Sequence, residues 1–159
     1  MAATNQSDVT LILSEELNTL KDVIARNLDE KGISASGKTR DSLEAIVEGT
    51  GGTLYGRGFF AVTETGRKGG KVPKGFRFVI EQWAKDKGIS FDSPRDLKSF
   101  SYFVARKIAR EGTKQFREGR RTDVYTEATD IAAKNIANRL GFLFSTEVIT
   151  LNDINEKYI

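Results

Sequence analysis

The sequence contains no cysteine and no histidine, and these two absences narrow the chemistry open to the chain. Without cysteine there is no disulfide and no thiolate nucleophile. Without histidine the chain lacks the commonest general base and the commonest neutral metal ligand. A catalytic serine or threonine would need a lysine or a carboxylate as its base. We therefore expect a protein that is not an enzyme and that holds no metal and no cofactor.

Long apolar segments are also missing from the sequence. No run approaches the roughly 18–20 residues that span a bilayer, so we expect no membrane partner. Residues 1–8 lack the basic region and apolar block of a secretory signal, so we expect no such signal. A length of 159 residues suits one domain. We predict a single domain over residues 1–159 with its core at about 36–144, and residues 145–159 either extend the last helix or form an arm.

Charge is unevenly distributed along the chain, although the net charge is only +3. Residues 1–34 and residues 122–159 each carry six acids and three bases, whereas residues 35–121 carry 19 bases and 10 acids. The middle of the chain thus has a local excess of +9. Such a distribution is typical of nucleic-acid contact or of complementary faces between neighbouring subunits. Solvated charged surfaces without any partner are the simpler alternative.

Two elements are predicted near the N-terminus. Residues 7–31 have the apolar spacing of an amphipathic helix, which Gly32 would end. Alternating apolar and polar residues at 43–48 predict a half-buried strand, and a glycine-rich turn at 49–52 leads into a return strand that begins at 53–55. The helix has one narrow apolar stripe, formed by Leu13, Leu17, Leu20, Ile24 and Leu28.

Later segments add one more strand and three more helices. Residues 59–65 could form a strand or a short helix, and we favour the strand. We predict a loop at 66–74, and helices at about 75–87, 94–111 and 123–144. The second of these helices has the clearest start, with Ser93 before Pro94. The predicted fold is α+β, a small antiparallel sheet packed against about four helices, with long N-terminal and C-terminal helices. Large side chains predicted to be buried in the three helices include Val79, Trp83, Phe103, Ile131 and Phe144.

Two short patterns suggest chemistry but are weak. Residues 36–39, Ser-Gly-Lys-Thr, resemble the end of a phosphate-binding loop, yet the upstream glycine and the leading apolar strand are missing. Glu44, Glu48 and Glu64 lie near predicted strands, with Lys38 nearby, and could suggest a metal nuclease. Solvent-facing positions on an amphipathic strand explain Glu44 and Glu48 more simply.

The loop and the start of the helix after it form the stronger candidate site. Flexible glycines would expose backbone N–H groups there, and five cations would attract phosphate or an acidic partner. Aromatic residues at 76 and 78 could stack on bases, although aromatic residues at a helix start more often belong to a core. We favour docking on a partner subunit. The five cations are Arg67, Lys68, Lys71, Lys74 and Arg77, and Pro73 lies among them.

A second basic cluster lies in the connector at residues 113–121. Lys114, Arg117, Arg120 and Arg121 come just before Tyr125. Arginine forks beside an aromatic side chain are typical of a protein interface. The alternative is that the arginines coat a turn and that Asp123 caps the last helix.

Several of these segments occur in the order found in one family. They are residues 36–43 (SGKTRDSL), Phe59-Phe60, residues 64–73 (ETGRKGGKVP), residues 80–83 (IEQW), residues 87–89 (KGI), residues 105–108 (ARKI) and residues 110–113 (REGT). In this order they resemble the small virion proteins of tailed bacteriophages that act as tail-completion or neck components. The resemblance covers about residues 36–125. One departure is that the family loop commonly has paired prolines, whereas this chain has Val72-Pro73-Lys74.

The resemblance implies a structural virion protein that forms a six-fold or twelve-fold homo-oligomeric ring at the head–tail junction. Its partners would be portal, neck or tail proteins, with genomic DNA in the channel, and it would be found in the virion after assembly in the host cytoplasm. Arg67, Lys71, Pro73 and Lys74 would form an inter-subunit loop, with Arg120, Arg121 and Tyr125 as a second contact. The alternative is a DNA-binding or DNA-processing protein that uses the same cations on phosphate.

Overall fold

The computed structural model describes residues 2–58 and 60–156, with side chains described for residues 6–58 and 60–146. This part of the chain forms six helices and one two-stranded antiparallel sheet, so the predicted α+β class with long terminal helices is confirmed. None of the described helices is both long enough and apolar enough to cross a membrane. The elements are α1 Ala2–Glu30, β1 Glu44–Glu48, β2 Gly51–Tyr55, α2 Ala61–Thr65, α3 Phe76–Asp86, α4 Pro94–Glu111, α5 Lys114–Arg117 and α6 Thr126–Glu156.

The chain divides into two compact units. The terminal unit consists of the described residues of Met1–Ile24, Leu43–Tyr55 and Tyr125–Ile159. The central unit consists of Ala25–Ser42 and the described residues of Gly56–Val124. The terminal unit therefore holds most of α1, the hairpin and α6, and the central unit holds α2 to α5.

In the terminal unit, α1 packs through the predicted apolar stripe. Leu13, Leu17 and Leu20 are each only 7% exposed. The hairpin pairs Glu44 with Tyr55 and Glu48 with Gly51, as a strand–turn–strand pattern predicts. Leu17 lies so close to β2 that a Cβ atom at Gly52 would be 2.5 Å from its Cδ1. A glycine in the strand thus makes room for the leucine, and this contact seats the hairpin on α1.

The last helix packs through small side chains, and this was not predicted. Ala128 and Ala132 are buried, whereas Ile131 is 51% exposed and Phe144 is 47% exposed. The prediction that Ile131 and Phe144 lie on the inner side is therefore wrong. Alanines four residues apart share one face of a helix, so a close contact through them turns the neighbouring large side chains outward.

The same principle governs the α3–α4 pair in the central unit. The buried residues are Ile80 and Ala84 on α3 and Ser101 and Ala105 on α4. Small residues at this contact let the helix backbones approach closely, and larger side chains stay outside it. The prediction that Val79, Trp83 and Phe103 are buried is wrong. Their exposed fractions are 57%, 40% and 66%, respectively.

The start of α4 follows the sequence signal. Ser93 has an extended backbone, and its Oγ accepts a hydrogen bond from the Asp96 N–H at 3.3 Å. Pro94 occupies the first turn, where its missing N–H costs nothing. The predicted capping arrangement is therefore confirmed.

The strand that we favoured at 59–65 is wrong, and the alternative, a short helix, is found at Ala61–Thr65; Phe59 lies outside the described residues. The Gly66 N–H donates to the Val62 carbonyl and closes the turn at 2.9 Å. The helical turn also brings Glu64 into a fully buried position. An apolar segment of seven residues is too short for periodicity to separate a strand from a helix.

Leu17 and Leu11 offer a matched test of the α1 packing. Leu17→Ala should lower the free energy of unfolding by about 2–4 kcal/mol, because it leaves a cavity against β2. Leu11 lies on the same helix but is 56% exposed, so Leu11→Ala should change it by less than about 0.5 kcal/mol. Urea unfolding followed by circular dichroism measures both values. Equal losses in the two variants would contradict the packing described for α1.

Candidate interface loop and connector

The basic loop at residues 66–75 is held against the end of α4. The Arg67 N–H donates to the Thr113 Oγ at 2.9 Å, and the Thr113 N–H donates to the Arg67 carbonyl at 2.9 Å. The Gly70 N–H donates to the Ala109 carbonyl at 2.7 Å. The expectation of flexible glycines with free N–H groups therefore fails at Gly70, because that donor is already used. The loop is a fixed feature of the central unit.

Two glycines allow this approach of loop and helix end. A Cβ atom at Gly69 would lie 2.7 Å from the Arg110 carbonyl oxygen, and one at Gly112 would lie 2.6 Å from the Arg67 carbonyl oxygen. Gly112 also has φ of +85°, which side-chain-bearing residues rarely adopt. Both neighbours are backbone atoms that cannot move aside. Only glycine fits at these two positions without shifting the loop.

Arg67 acts within the loop in this structure. Its guanidinium donates from Nη2 to the Lys71 carbonyl at 2.6 Å and lies 5.6 Å from the centre of the Phe76 ring. Its Nη1 is buried and has no hydrogen-bond partner among the described residues. The side chain thus bridges the loop from inside, and its predicted role at an interface stays a prediction.

The outer side of the loop carries the remaining cations. Lys68, Lys71, Pro73 and Lys74 are all exposed. Arg77 is half-buried, and its guanidinium lies 4.6 Å from the centre of the Phe78 ring. Among the described side chains, the three lysine ammonium groups make no ion pair within 4.0 Å. The loop was predicted to be flexible, but it is held in place and presents three lysines and a proline to solvent.

The connector contains a buried ion pair that the sequence did not predict. Glu64 is 0% exposed, and its Oε1 lies 2.6 Å from Nη2 of Arg121, whose side chain is 55% exposed. A carboxylate is removed from water at this depth only with strong compensation, because desolvation of a charge costs several kcal/mol. Arg121 provides part of that compensation. It is therefore a structural partner of α2 as well as a surface cation.

Backbone bonds tie the end of α2 to the connector as well. The Thr122 N–H donates to the Glu64 carbonyl at 3.0 Å, and the Thr122 hydroxyl donates to the Thr63 carbonyl at 2.9 Å. The Gln115 amide donates to both carbonyls. Carbonyls at a helix end lack intrahelical partners, so these bonds satisfy the last turn of α2.

The other connector cations are also paired with acids. Arg120 lies 2.9 Å from Glu118, and Arg117 lies 2.7 Å from Glu111. The Arg110 hydrogen bond, with help from the charges of Arg110 itself, Arg117 and Lys107, holds the pKa of Glu111 below its usual range. A lowered carboxyl pKa contributes stability above the ordinary value that is lost as the pH falls through the lowered one. The connector is thus much less basic in effect than its sequence suggests.

Tyr125 belongs to the terminal unit, whereas Arg120 and Arg121 belong to the central unit. It is half-buried, and its carbonyl accepts hydrogen bonds from the N–H and the hydroxyl of Thr129 at 2.8 and 2.7 Å. The predicted grouping of this tyrosine with the two arginines is not tested by the geometry within either unit.

The two weak patterns do not gain support. In residues 36–41 the Asp41 N–H donates to the Gly37 carbonyl, and Arg40 pairs with Asp29 at 3.0 Å and with Asp41 at 2.9 Å. These contacts describe a closed turn. No group of three or more acidic side chains in the described part of the chain is arranged to hold a metal ion.

One basic surface lies outside both predicted clusters. The exposed surface of α4, here called the α4 outer face, carries cations around two exposed aromatic rings. Cations four residues apart on one helix, such as 106 and 110, were the signal that could have revealed it. The α4 outer face consists of Arg95, Lys98, Tyr102, Phe103, Arg106, Lys107 and Arg110.

Comparison of the chain with models of protein families, with curated protein sequences and with solved structures found no match.

Adjacent arginines provide a matched test of the buried pair. Arg121→Ala should destabilise the central unit by about 2–4 kcal/mol, because Glu64 stays buried without this guanidinium. Arg120→Ala removes an exposed ion pair and should cost less than about 1 kcal/mol. Urea unfolding followed by the fluorescence of Trp83, the single tryptophan, reports on this unit. Equal stability of the two variants would show that the buried pair has no special weight.

Proposed function

We propose that this chain is a structural subunit of a tailed-bacteriophage virion that forms a ring at the head–tail junction, as a neck or tail-completion component. The class of protein is inferred from residues 36–125, where short segments occur in the same order as in this family. The physical features below support assembly into a ring of like subunits.

The main observation in support of a ring is that the two compact units have net charges of opposite sign. The sequence segments of the terminal unit hold 11 acids and four bases, a net charge of −7. Those of the central unit hold 21 bases and 11 acids, a net charge of +10. A ring requires heterologous contacts, in which one surface of a subunit meets a different surface of the next. An acidic unit meeting a basic unit of the neighbouring copy satisfies that requirement and selects the correct pairing.

Exposed apolar side chains on α3 supply a second feature that favours assembly. Val79 and Trp83 are four residues apart, so they share one side of the helix, and both are exposed. Large aromatic and aliphatic side chains of this kind are typical of the centre of a protein interface. Phe78, on another side of α3, is 60% exposed. We assign the Val79–Trp83 side of α3 to the subunit contact.

The fixed loop supports the same proposal. Lys71, Pro73 and Lys74 are exposed on a segment held by backbone bonds to α4 and by the guanidinium of Arg67. A rigid loop loses little conformational entropy when it docks. In the proposed ring it contacts the acidic unit of the neighbour or a portal, neck or tail protein.

Assembly can be tested by mass photometry and negative-stain electron microscopy of the purified chain, alone and with any portal protein that a neighbouring gene encodes. We expect closed oligomers of six or twelve copies that dissociate as salt is raised, because the proposed contact joins opposite charges. The double variant Val79→Ser with Trp83→Ser should need at least a tenfold higher protein concentration to assemble. The matched control on the same helix is Gln82→Ser with Asp86→Ser, which removes an exposed polar pair.

Two results would contradict the proposal. One is a chain that stays monomeric at all concentrations and binds no portal or tail protein. The other is assembly that is equally weakened by the control pair, since α3 would then act through its helical stability and not through its apolar side. Circular dichroism of each variant establishes that its helices are intact.

A further inference from the structure

We propose that the α4 outer face binds the phosphate backbone of nucleic acid. This inference does not rest on ring formation, because it concerns a surface of the single chain. It uses residues other than the loop lysines and the Val79–Trp83 side of α3.

Four of the seven residues, together with the neighbouring Ser99, form one stripe along the helix. Arg95, Ser99, Tyr102, Arg106 and Arg110 follow one another at intervals of three or four residues, which places them on the same side of α4. All five are exposed, whereas the opposite side is the one buried at Ser101 and Ala105. With a rise of about 1.5 Å per residue the stripe runs for about 22 Å. That length is enough to follow several successive phosphates of one strand.

The cations of this face are largely uncompensated. Arg95, Lys98 and Lys107 form no ion pair within 4.0 Å among the described side chains, and Arg106 makes a 3.5 Å contact with the Tyr102 hydroxyl. Arg110 is the exception, since it pairs with Glu111. This differs from the connector, where arginine charges are neutralised by nearby acids. Four cations of the face therefore make no direct ion pair and remain to attract a polyanion, although the charge of Lys107 also acts on Glu111.

Two aromatic rings lie within this cationic surface. Tyr102 is 46% exposed and Phe103 is 66% exposed, with ring centres 5.5 Å apart in an edge-to-face arrangement. Exposed rings beside cations are the combination by which proteins stack on unpaired bases while the cations follow the backbone. A ring as exposed as that of Phe103 contributes little to the core and is accessible to a partner.

The composition of the face favours nucleic acid over a protein partner. The exposed residues of α4 from 95 to 110 include five cations, one acid (Asp96) and no aliphatic side chain. Arginines and aromatic side chains occur in both protein and nucleic-acid interfaces, so the distinguishing features are the excess of positive charge and the missing aliphatic centre. Protein interfaces are depleted in lysine and have an apolar centre, whereas nucleic-acid interfaces are more polar and much more positively charged. On the neighbouring helix, Val79 and Trp83 have the composition expected of a protein contact instead. The two surfaces thus differ in the partner that they suit.

Fluorescence anisotropy with a labelled 30-base-pair DNA duplex and a labelled 30-nucleotide DNA strand tests the proposal. With four phosphate contacts the logarithm of the duplex binding constant should fall against the logarithm of salt with a slope of about −3 to −4. Arg106→Ala with Lys107→Ala should weaken binding at least tenfold at 0.1 M salt and reduce the slope by about 2. Tyr102→Ala with Phe103→Ala should weaken binding to the single strand more than to the duplex, because paired bases present no free face.

The matched control removes two cations from the terminal unit, Lys21→Ala with Lys134→Ala. It lowers the net charge equally and should change the affinity less than threefold. A second control, Lys68→Ala with Lys71→Ala and Lys74→Ala, removes the loop lysines. Circular dichroism establishes folding of every variant, and the oligomeric state is measured without DNA, so that a failure of ring assembly is recorded separately.

Four outcomes would overturn the proposal. The wild-type chain fails to bind either DNA at 50 mM salt. Binding is lost equally in the terminal-unit control, which would mean that net charge alone is responsible. Binding is lost only when the loop lysines are replaced, which would assign DNA binding to the loop. The Arg106 and Lys107 variant changes self-association and not DNA binding, which would assign the α4 outer face to a protein partner.

Discussion

The close backbone contact between the basic loop and the end of α4 is the constraint on which the central unit depends. At Gly69 and Gly112 the backbone of one segment fills the place that a side chain of the other would occupy. The hydrogen bonds of Arg67 and Thr113 form only at this separation. The contact fixes the loop, and through the connector that starts at Thr113 it also fixes the end of α2. Removing either glycine would therefore disturb the loop and the buried carboxylate of Glu64 together.

Pairing with acids decides which of the many basic residues remain available to a partner. In the connector, Arg117, Arg120 and Arg121 each lie within 3.0 Å of a glutamate. The lysines of the loop and most cations of the α4 outer face have no such neighbour in the described residues. The excess of positive charge in the middle of the sequence thus becomes two free surfaces, one on the loop and one on α4. The connector, although rich in arginine, contributes mainly to stability.

Sequence patterns predicted the elements well and their packing less well. The stripe of α1, the hairpin and the Ser93 cap were predictable because each depends on residues close together in the chain. The exposure of Val79, Trp83 and Phe103 was not, because it depends on small residues, Ala84 and Ala105, that choose the contact side of two helices. The burial of Glu64 depends on an arginine 57 positions away. The loop could be located from its glycines and lysines, but its attachment to α4 could not.

In the proposed ring, the acidic terminal unit of one subunit meets the basic central unit of the next. Zero-length cross-linking of carboxylates to amines in an assembled mixture of ¹⁴N-labelled and ¹⁵N-labelled chains tests it most directly. We expect mixed-isotope peptides that join acids of the terminal unit, such as Glu127 or Asp130, to lysines of the loop, such as Lys71 or Lys74. Mixed-isotope links confined to pairs within the same kind of unit, or links found only within one isotope, would contradict it.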